Sequence, residues 1–189
     1  METDIIELLK TVSLKSNKVL QLEKQVSNNR GTIVCKVSSN TNEQFALKFS
    51  SSVLNTDVYY NSSTIIKNEA AFLKENPLLT ENLYVSSGNH NEITWLLTKW
   101  VMGKKSYKYL KAVKEKASIT EYQSECLDLF KKIYLKVGEL HDKGFVHSDL
   151  QPNHIYVTED KKIVLIDFGL THKVLNSDFI FKGGMIHFN

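Results

Sequence analysis

Two aspartates carry the strongest chemical signal in this sequence. Asp149 lies in the run His147-Ser148-Asp149-Leu150-Gln151-Pro152-Asn153-His154-Ile155-Tyr156-Val157, and Asp167 follows Val164-Leu165-Ile166 just ahead of Phe168-Gly169. Short β-prone segments at 145–147, 155–157 and 163–166 flank them, so one tight loop and one hairpin bring both carboxylates to a single cleft. Such a pair suits phosphoryl transfer. One carboxylate orients an attacking hydroxyl and takes its proton, while the other holds a divalent cation against phosphate oxygens. An aspartate ending a strand is, by itself, more often a cap or a turn residue. The two together, in this order and context, make the signal specific.

The two runs closely resemble the catalytic loop and the metal-binding Asp-Phe-Gly motif of protein kinases. That resemblance implies Asp149 as the catalytic base and Asp167 as a ligand of a metal that holds ATP. It also implies a lysine on the third strand and a glutamate on the helix after it. Phe45-Ala46-Leu47-Lys48 fits the first demand and Glu69 the second, with Lys48 set against the α- and β-phosphates and Glu69 holding its ammonium. Glu75 competes for that second role, but it sits at the fraying end of the expected helix. Thr98-Lys99-Trp100-Val101-Met102-Gly103 is similar to the hinge between kinase lobes. There the backbone groups of Lys99, Trp100 and Val101 would meet an adenine edge, with Thr98 as gatekeeper.

Several positions depart from the family pattern. Of the glycine-rich phosphate loop only Gly31-Thr32-Ile33 remains, preceded by Ser27-Asn28-Asn29-Arg30. Gly31 would still offer backbone N–H to phosphate, through a looser or differently built cradle. His154 stands where the family has a metal-binding asparagine, with Asn153 one residue earlier; either Asn153 serves through a shifted register or the second metal position is altered. An imidazole nitrogen suits Mn2+ better than Mg2+, so the cofactors implied are ATP with Mg2+ or Mn2+. Gln151 replaces the loop lysine, and Ser148 replaces the arginine that reads activation-loop phosphorylation. Only twenty-two residues follow Asp167, and Phe181–Asn189 is similar to the end of an activation segment. The resemblance therefore points to a minimal, atypical bacterial-type kinase, similar to the Bud32 and Rio types, to lanthipeptide-synthetase kinase domains and to small kinase effectors.

The surrounding elements must position these residues. Residues 3–12 have helical spacing, with Thr3 or Asp4 as a candidate N-cap. Residues 32–37 and 44–49 read as an antiparallel hairpin after a turn at Asn28-Asn29-Arg30-Gly31. A helix over 62–75 follows, then strands 83–86 and 92–98 joined at Gly88-Asn89. Thr120-Glu121-Tyr122-Gln123 reads as a capping box for a long helix, with Leu127, Phe130, Tyr134, Val137 and His141 as its apolar stripe and Gly144 as its stop. His147 matches a catalytic-loop histidine that supports the loop. The expected fold is α+β and two-lobed: a small antiparallel sheet with one helix over 1–98, a hinge over 99–103 and a reduced helical lobe over 104–189, all in one domain of 189 residues.

Composition is that of an ordinary globular chain, with 42% hydrophobic and 24% charged residues. A net charge of +3 is too slight to argue for a nucleic-acid partner. Cys35 and Cys126 form neither a disulfide framework nor a metal spacing, which fits a reducing, cytoplasmic setting, or delivery into a host cell if the chain is an effector. No apolar run approaches a membrane span, so no membrane partner is expected. Lys104, Lys105, Lys108, Lys111, Lys114 and Lys116 read as a solvated face. The expected activity moves the γ-phosphate of Mg-ATP to a serine- or threonine-type hydroxyl of a protein or peptide. The alternatives are a small-molecule phosphotransferase of the aminoglycoside or choline type and a nucleotide-binding pseudokinase.

Overall fold

In the computed structural model, residues 2–29, 31–50 and 61–174 are described, with side chains from residue 5 onward. Arg30 and the segment Phe181–Asn189 lie outside the described residues. The class is α+β, as expected. The chain divides into one unit of Met1–Pro77 with Asn82–Trp100 and a second of Leu78–Glu81 with Val101–Asn189.

In the first unit, period-two alternation of apolar residues drives the sheet. Helix α1 (Glu2–Ser16) leads into strands β1 (Leu20–Asn29), β2 (Thr32–Ser39) and β3 (Gln44–Ser50). Helix α2 (Ser62–Glu75) separates these from β4 (Tyr84–His90) and β5 (Ile93–Lys99), and the strand order is β1-β2-β3-β5-β4. All pairings are antiparallel. One core joins Leu8, Leu9 and Val12 of α1 to Ile33, Cys35, Val37, Phe45, Leu47, Phe49, Trp95 and Leu97 of the sheet. Alternation sends the intervening residues Lys48 and Leu96, directly paired across β3 and β5, to the other face. Ile65, Ile66, Ala70, Phe72 and Leu73 form the buried side of α2, which packs on β3 and β5.

Helix α1 starts at Glu2, so Thr3 and Asp4 lie inside it rather than at its cap. The turn expected at Gly88-Asn89 falls three residues later. β4 runs through both residues, and Asn91, at φ 52°, makes the reversal before β5, a conformation asparagine tolerates. Gly88 has a packing reason instead. It pairs with Trp95, and a Cβ there would lie 3.0 Å from Cζ2 and 3.3 Å from Cε2 of that fully buried ring. Gly88→Ala is therefore expected to destabilise the unit by about 1–3 kcal/mol, read as a lower urea midpoint with an unchanged slope; an unchanged midpoint would show that the ring gives way freely.

The second unit is led by helices α3 (Ser106–Lys114) and α4 (Ile119–Asp142). Its small strands are β6 (Lys104–Lys105), β7 (Phe145–Val146), β8 (Ile155–Val157), β9 (Ile163–Leu165) and β10 (His172–Lys173). They form a β6-β8-β9 sheet and a β10-β7 pair. Lys104 and Lys105 thus belong to a strand, and only the lysines from 108 to 114 to a helix. The capping box of α4 is Ser118 with Glu121: the serine hydroxyl accepts from Glu121 N–H, and the Glu121 carboxylate accepts from Ser118 N–H. Thr120 lies inside the helix. Gly144, at φ 75°, is the left-handed residue that ends it. Most of the stripe expected to be buried is turned outward: Leu127, Phe130 and Tyr134 are 72%, 67% and 78% exposed and His141 is exposed too, while Val137 is half-buried. The buried side of α4 is Leu129, Lys136 and Leu140. Among the described residues no helix is long and apolar enough to cross a membrane.

Candidate active site

The first unit contributes a buried ion pair. Lys48 points from β3 toward α2, and its Nζ donates to Glu69 Oε2 at 2.7 Å. The two side chains are 15% and 7% exposed, whereas Glu75 is exposed. Charges so enclosed persist only where they neutralise each other. Lys48→Met is expected to cost about 3 kcal/mol, because it removes the ammonium that neutralises the buried Glu69 carboxylate. The double variant Lys48→Met/Glu69→Leu is expected to recover most of that loss, and guanidinium denaturation of all three proteins measures the difference. Equal stability of wild type and Lys48→Met would mean that the pair contributes nothing to the fold.

The β1–β2 hairpin turns between the paired residues Asn29 and Thr32. Gly31 takes φ 74° there, in the left-handed region that favours glycine. At the end of β5, Lys99 N–H donates to the Leu83 carbonyl at 2.9 Å and Trp100 N–H to the Gln44 carbonyl at 3.0 Å. Two of the backbone donors expected to meet adenine are thus engaged within the unit. The Trp100 ring takes Lys36 Nζ 5.5 Å from its centroid. Val101, half-buried, begins the second unit.

In the second unit, the loop after β7 and the end of β9 bring Asp149, His154 and Asp167 together. One ligand atom from each lies within 4.8 Å of the other two. Asp149 Oδ1 accepts from the Gln151 amide at 3.1 Å. His154 ends the short 3-10 turn Pro152–His154. Its Nδ1 donates to the Asp149 backbone carbonyl at 2.8 Å and lies 3.5 Å from Asp149 Oδ2, while Nε2 faces Asp167 Oδ2 at 3.2 Å. Asn153, one residue earlier, is exposed. Asp167 itself makes the turn after β9, at φ 66° and ψ 56°. Gly169 is buried inside the following turn Phe168–Leu170. Aspartate is among the few residues that adopt the left-handed conformation at modest cost.

His147 holds the loop from beneath. It is 2% exposed, packs 4.9 Å from the Phe168 ring, and donates from Nε2 to the Ile166 carbonyl at 3.0 Å. Its Nδ1 is buried with no hydrogen-bond partner among the described residues, so a second proton there would meet no acceptor. Burial pushes the imidazole below its ordinary value, against a smaller opposing effect from the Ile166 carbonyl. A base depressed in the folded state is protonated first in the unfolded chain. Stability is thus full above the ordinary imidazole value and falls as pH drops through it toward the depressed one. His147→Gln is expected to flatten that acid-side slope in urea midpoints measured across pH, and an equal slope in both proteins would assign it to other groups.

Two features escaped the sequence reading. Gln151 braces the Asp149 carboxylate, and Ser148, at φ 62°, shares a hydrogen bond of 3.0 Å with His172 Nδ1. An isolated Ser or Gln gives no pattern from which such contacts could be found.

Comparison with known proteins agrees with this geometry. The protein kinase domain model matches residues 13–182. The chain is 30% identical to a mouse (Mus musculus) sperm motility kinase, Tcr mutant form, over 122 residues, 61% of this chain and 25% of the relative. It is 30% identical to the Raf homolog serine/threonine-protein kinase of Caenorhabditis elegans over 105 residues, 55% of this chain and 12% of the relative. It is 40% identical over 50 residues to the interferon-induced, double-stranded RNA-activated protein kinase of Rattus norvegicus, 26% of this chain and 10% of the relative. The chain thus spans a quarter or less of the length of these relatives.

Proposed function

The chain belongs to the protein kinase domain family, and from that premise we propose that it transfers the γ-phosphate of metal-bound ATP to a serine- or threonine-type hydroxyl of a protein or peptide. The observation that carries this reading is the gathering of Asp149, His154 and Asp167 on one loop cluster, with a buried Lys48–Glu69 pair between β3 and α2 of the first unit. In the proposed division of labour, Asp149 accepts the hydroxyl proton and orients its oxygen for in-line attack. Gln151 holds the Asp149 carboxylate in place. Lys48 sets positive charge against the α- and β-phosphates, and Glu69 keeps its ammonium extended. The base meets the backbone of residues 99–101, by the Lys99 carbonyl and Val101 N–H, since Lys99 and Trp100 N–H are engaged elsewhere. Gly31 offers its N–H at the hairpin tip.

A divalent cation is part of this reading, and the donor set fits one. Asp167 and His154 would hold it, with Asn153 an alternative only if the short turn shifts. The ion would neutralise charge on the transferring phosphoryl group. Residues 1–189 are read as one minimal kinase domain with its hinge at 99–103, of the atypical, bacterial type. A mild net charge of +3 suits protein substrates without calling for nucleic acid.

The acceptor is tested by incubating the chain with γ-labelled ATP and Mg2+ or Mn2+, once with a protein lysate and once with aminoglycosides and choline. Label on protein supports the proposal. Label on the small molecules alone would move the chain to a small-molecule phosphotransferase, and no label with intact ATP binding would make it a nucleotide-binding pseudokinase.

A further inference from the structure

One stretch of the second unit carries positive charge that no carboxylate answers. From Val101 to Lys114 the sequence holds five lysines, at 104, 105, 108, 111 and 114, and no acidic residue; the first carboxylate is Glu115, the C-cap of α3. Lys104, Lys108, Lys111 and Lys114 are exposed, and none of the five makes an ion pair among the described residues. By contrast, Lys132 pairs with Asp128, Lys136 with Glu81 and Glu139, and Lys161 with Glu125.

Charge placed this way does not help the fold. Lys111 and Lys114 lie in the last turn of α3, where the helix dipole favours cations. Lys104, Lys105 and Lys108 stand at the opposite end, where the dipole disfavours them. Lys108, Lys111 and Lys114 also follow one another at i, i+3, so like charges sit on adjacent turns.

The stretch is fixed to the loop that carries the proposed base. Lys104 pairs with Val157 and Lys105 with Tyr156 across β6 and β8. At the start of α3 the buried Ser106 hydroxyl donates to the Pro152 carbonyl at 3.0 Å. Pro152 lies three residues beyond Asp149, a path of at most about 11 Å. An extended peptide advances about 3.3 Å per residue, so one whose hydroxyl sits at Asp149 comes alongside the basic stretch within roughly five residues.

We propose that the exposed lysines of β6 and α3 form a docking surface for acidic side chains that flank the acceptor hydroxyl, so that the chain selects acidic protein or peptide substrates. Lysine ammoniums are flexible point charges that meet carboxylates in many geometries, so the surface selects charge rather than one fixed sequence. Each exposed pair contributes little, and the preference comes from several acting together and weakens with salt. Nucleic acid would meet the same charges, but the adjoining loop holds the groups for transfer to a hydroxyl, and the whole chain carries only +3. This surface deepens the phosphotransfer reading, on which its purpose rests; the unanswered lysines carry the substrate class.

The test uses the full chain and begins without nucleotide. Fluorescence anisotropy at low ionic strength compares a labelled peptide holding one serine between two runs of glutamate with the same peptide carrying glutamine instead. The wild type is expected to bind the acidic peptide at least about ten-fold more tightly, the sum of several weak pairs. In Lys104→Glu/Lys108→Glu/Lys111→Glu that preference is expected to vanish. The substitutions put acid at the dipole's positive end, so the helix has no reason to unfold. With ATP and metal added, the variant is expected to raise KM for the acidic peptide at unchanged kcat, the mark of lost docking. Equal or undetectable binding of the two peptides, a preference kept by the variant, or tighter binding of a single-stranded oligonucleotide of matching charge would each overturn the proposal. Because binding is read without nucleotide, a chain inactive in transfer can still show the preference, and an active kinase can lack it.

Discussion

Asp149→Asn is expected to lower phosphoryl transfer by about 100- to 10,000-fold, the range a positioned base contributes, while ATP affinity stays within two-fold of wild type. The amide keeps the size of the side chain and its contact with Gln151, so the loop has no reason to move. What it loses is the ability to accept the hydroxyl proton. His154 bonds to the backbone carbonyl of residue 149, not to the altered group, so the histidine also keeps its place. Rapid-quench measurement of labelled product, beside calorimetric titration of ATP, separates the two effects. Transfer at the wild-type rate would remove Asp149 from the role of base, and a parallel loss of ATP binding would show that it holds nucleotide instead.

Asp167→Asn is expected to abolish the metal-dependent part of ATP binding, the largest change in affinity of any single substitution at this site. Asparagine is chosen over alanine because residue 167 sits in the left-handed region, which asparagine also tolerates. The variant therefore removes the charge without straining the turn. Calorimetric titration of ATP with and without Mg2+ or Mn2+ reads the effect. Equal metal-dependent affinity in both proteins would place the ion elsewhere.

Side chains whose roles follow from local spacing were the ones legible in the sequence. Lys48 on a strand with apolar neighbours at 47 and 49 must face away from the core they enter, and α2 is the element that arrives there. Asp149 and Asp167 are brought together by one short hairpin, so their separation along the chain already encodes the meeting. The amphipathic logic failed on α4, because apolar residues occupy more than one side of that helix. Periodicity alone selected Leu127, Phe130 and Tyr134, whereas the helix buries Leu129, Lys136 and Leu140. Lys136 gave no apolar signal, since it is buried through ion pairs with Glu81 and Glu139 at 2.6 and 2.9 Å. Gly88 was legible as glycine but not as strand, because its reason is the Trp95 ring on the neighbouring strand. The aim of His154 at Asp167 was not legible either. It depends on which ring nitrogen the Asp149 carbonyl captures.

Transfer to a protein hydroxyl stands or falls on the chemical identity of the labelled residue. Wild-type chain and Asp149→Asn are each incubated with γ-labelled ATP, Mn2+ and a protein lysate, and the labelled proteins are hydrolysed to their phosphoamino acids. The expected result is label on phosphoserine or phosphothreonine with the wild type and almost none with the variant. Label equal in the two, or absent from protein with the wild type while ATP binds normally, would contradict it.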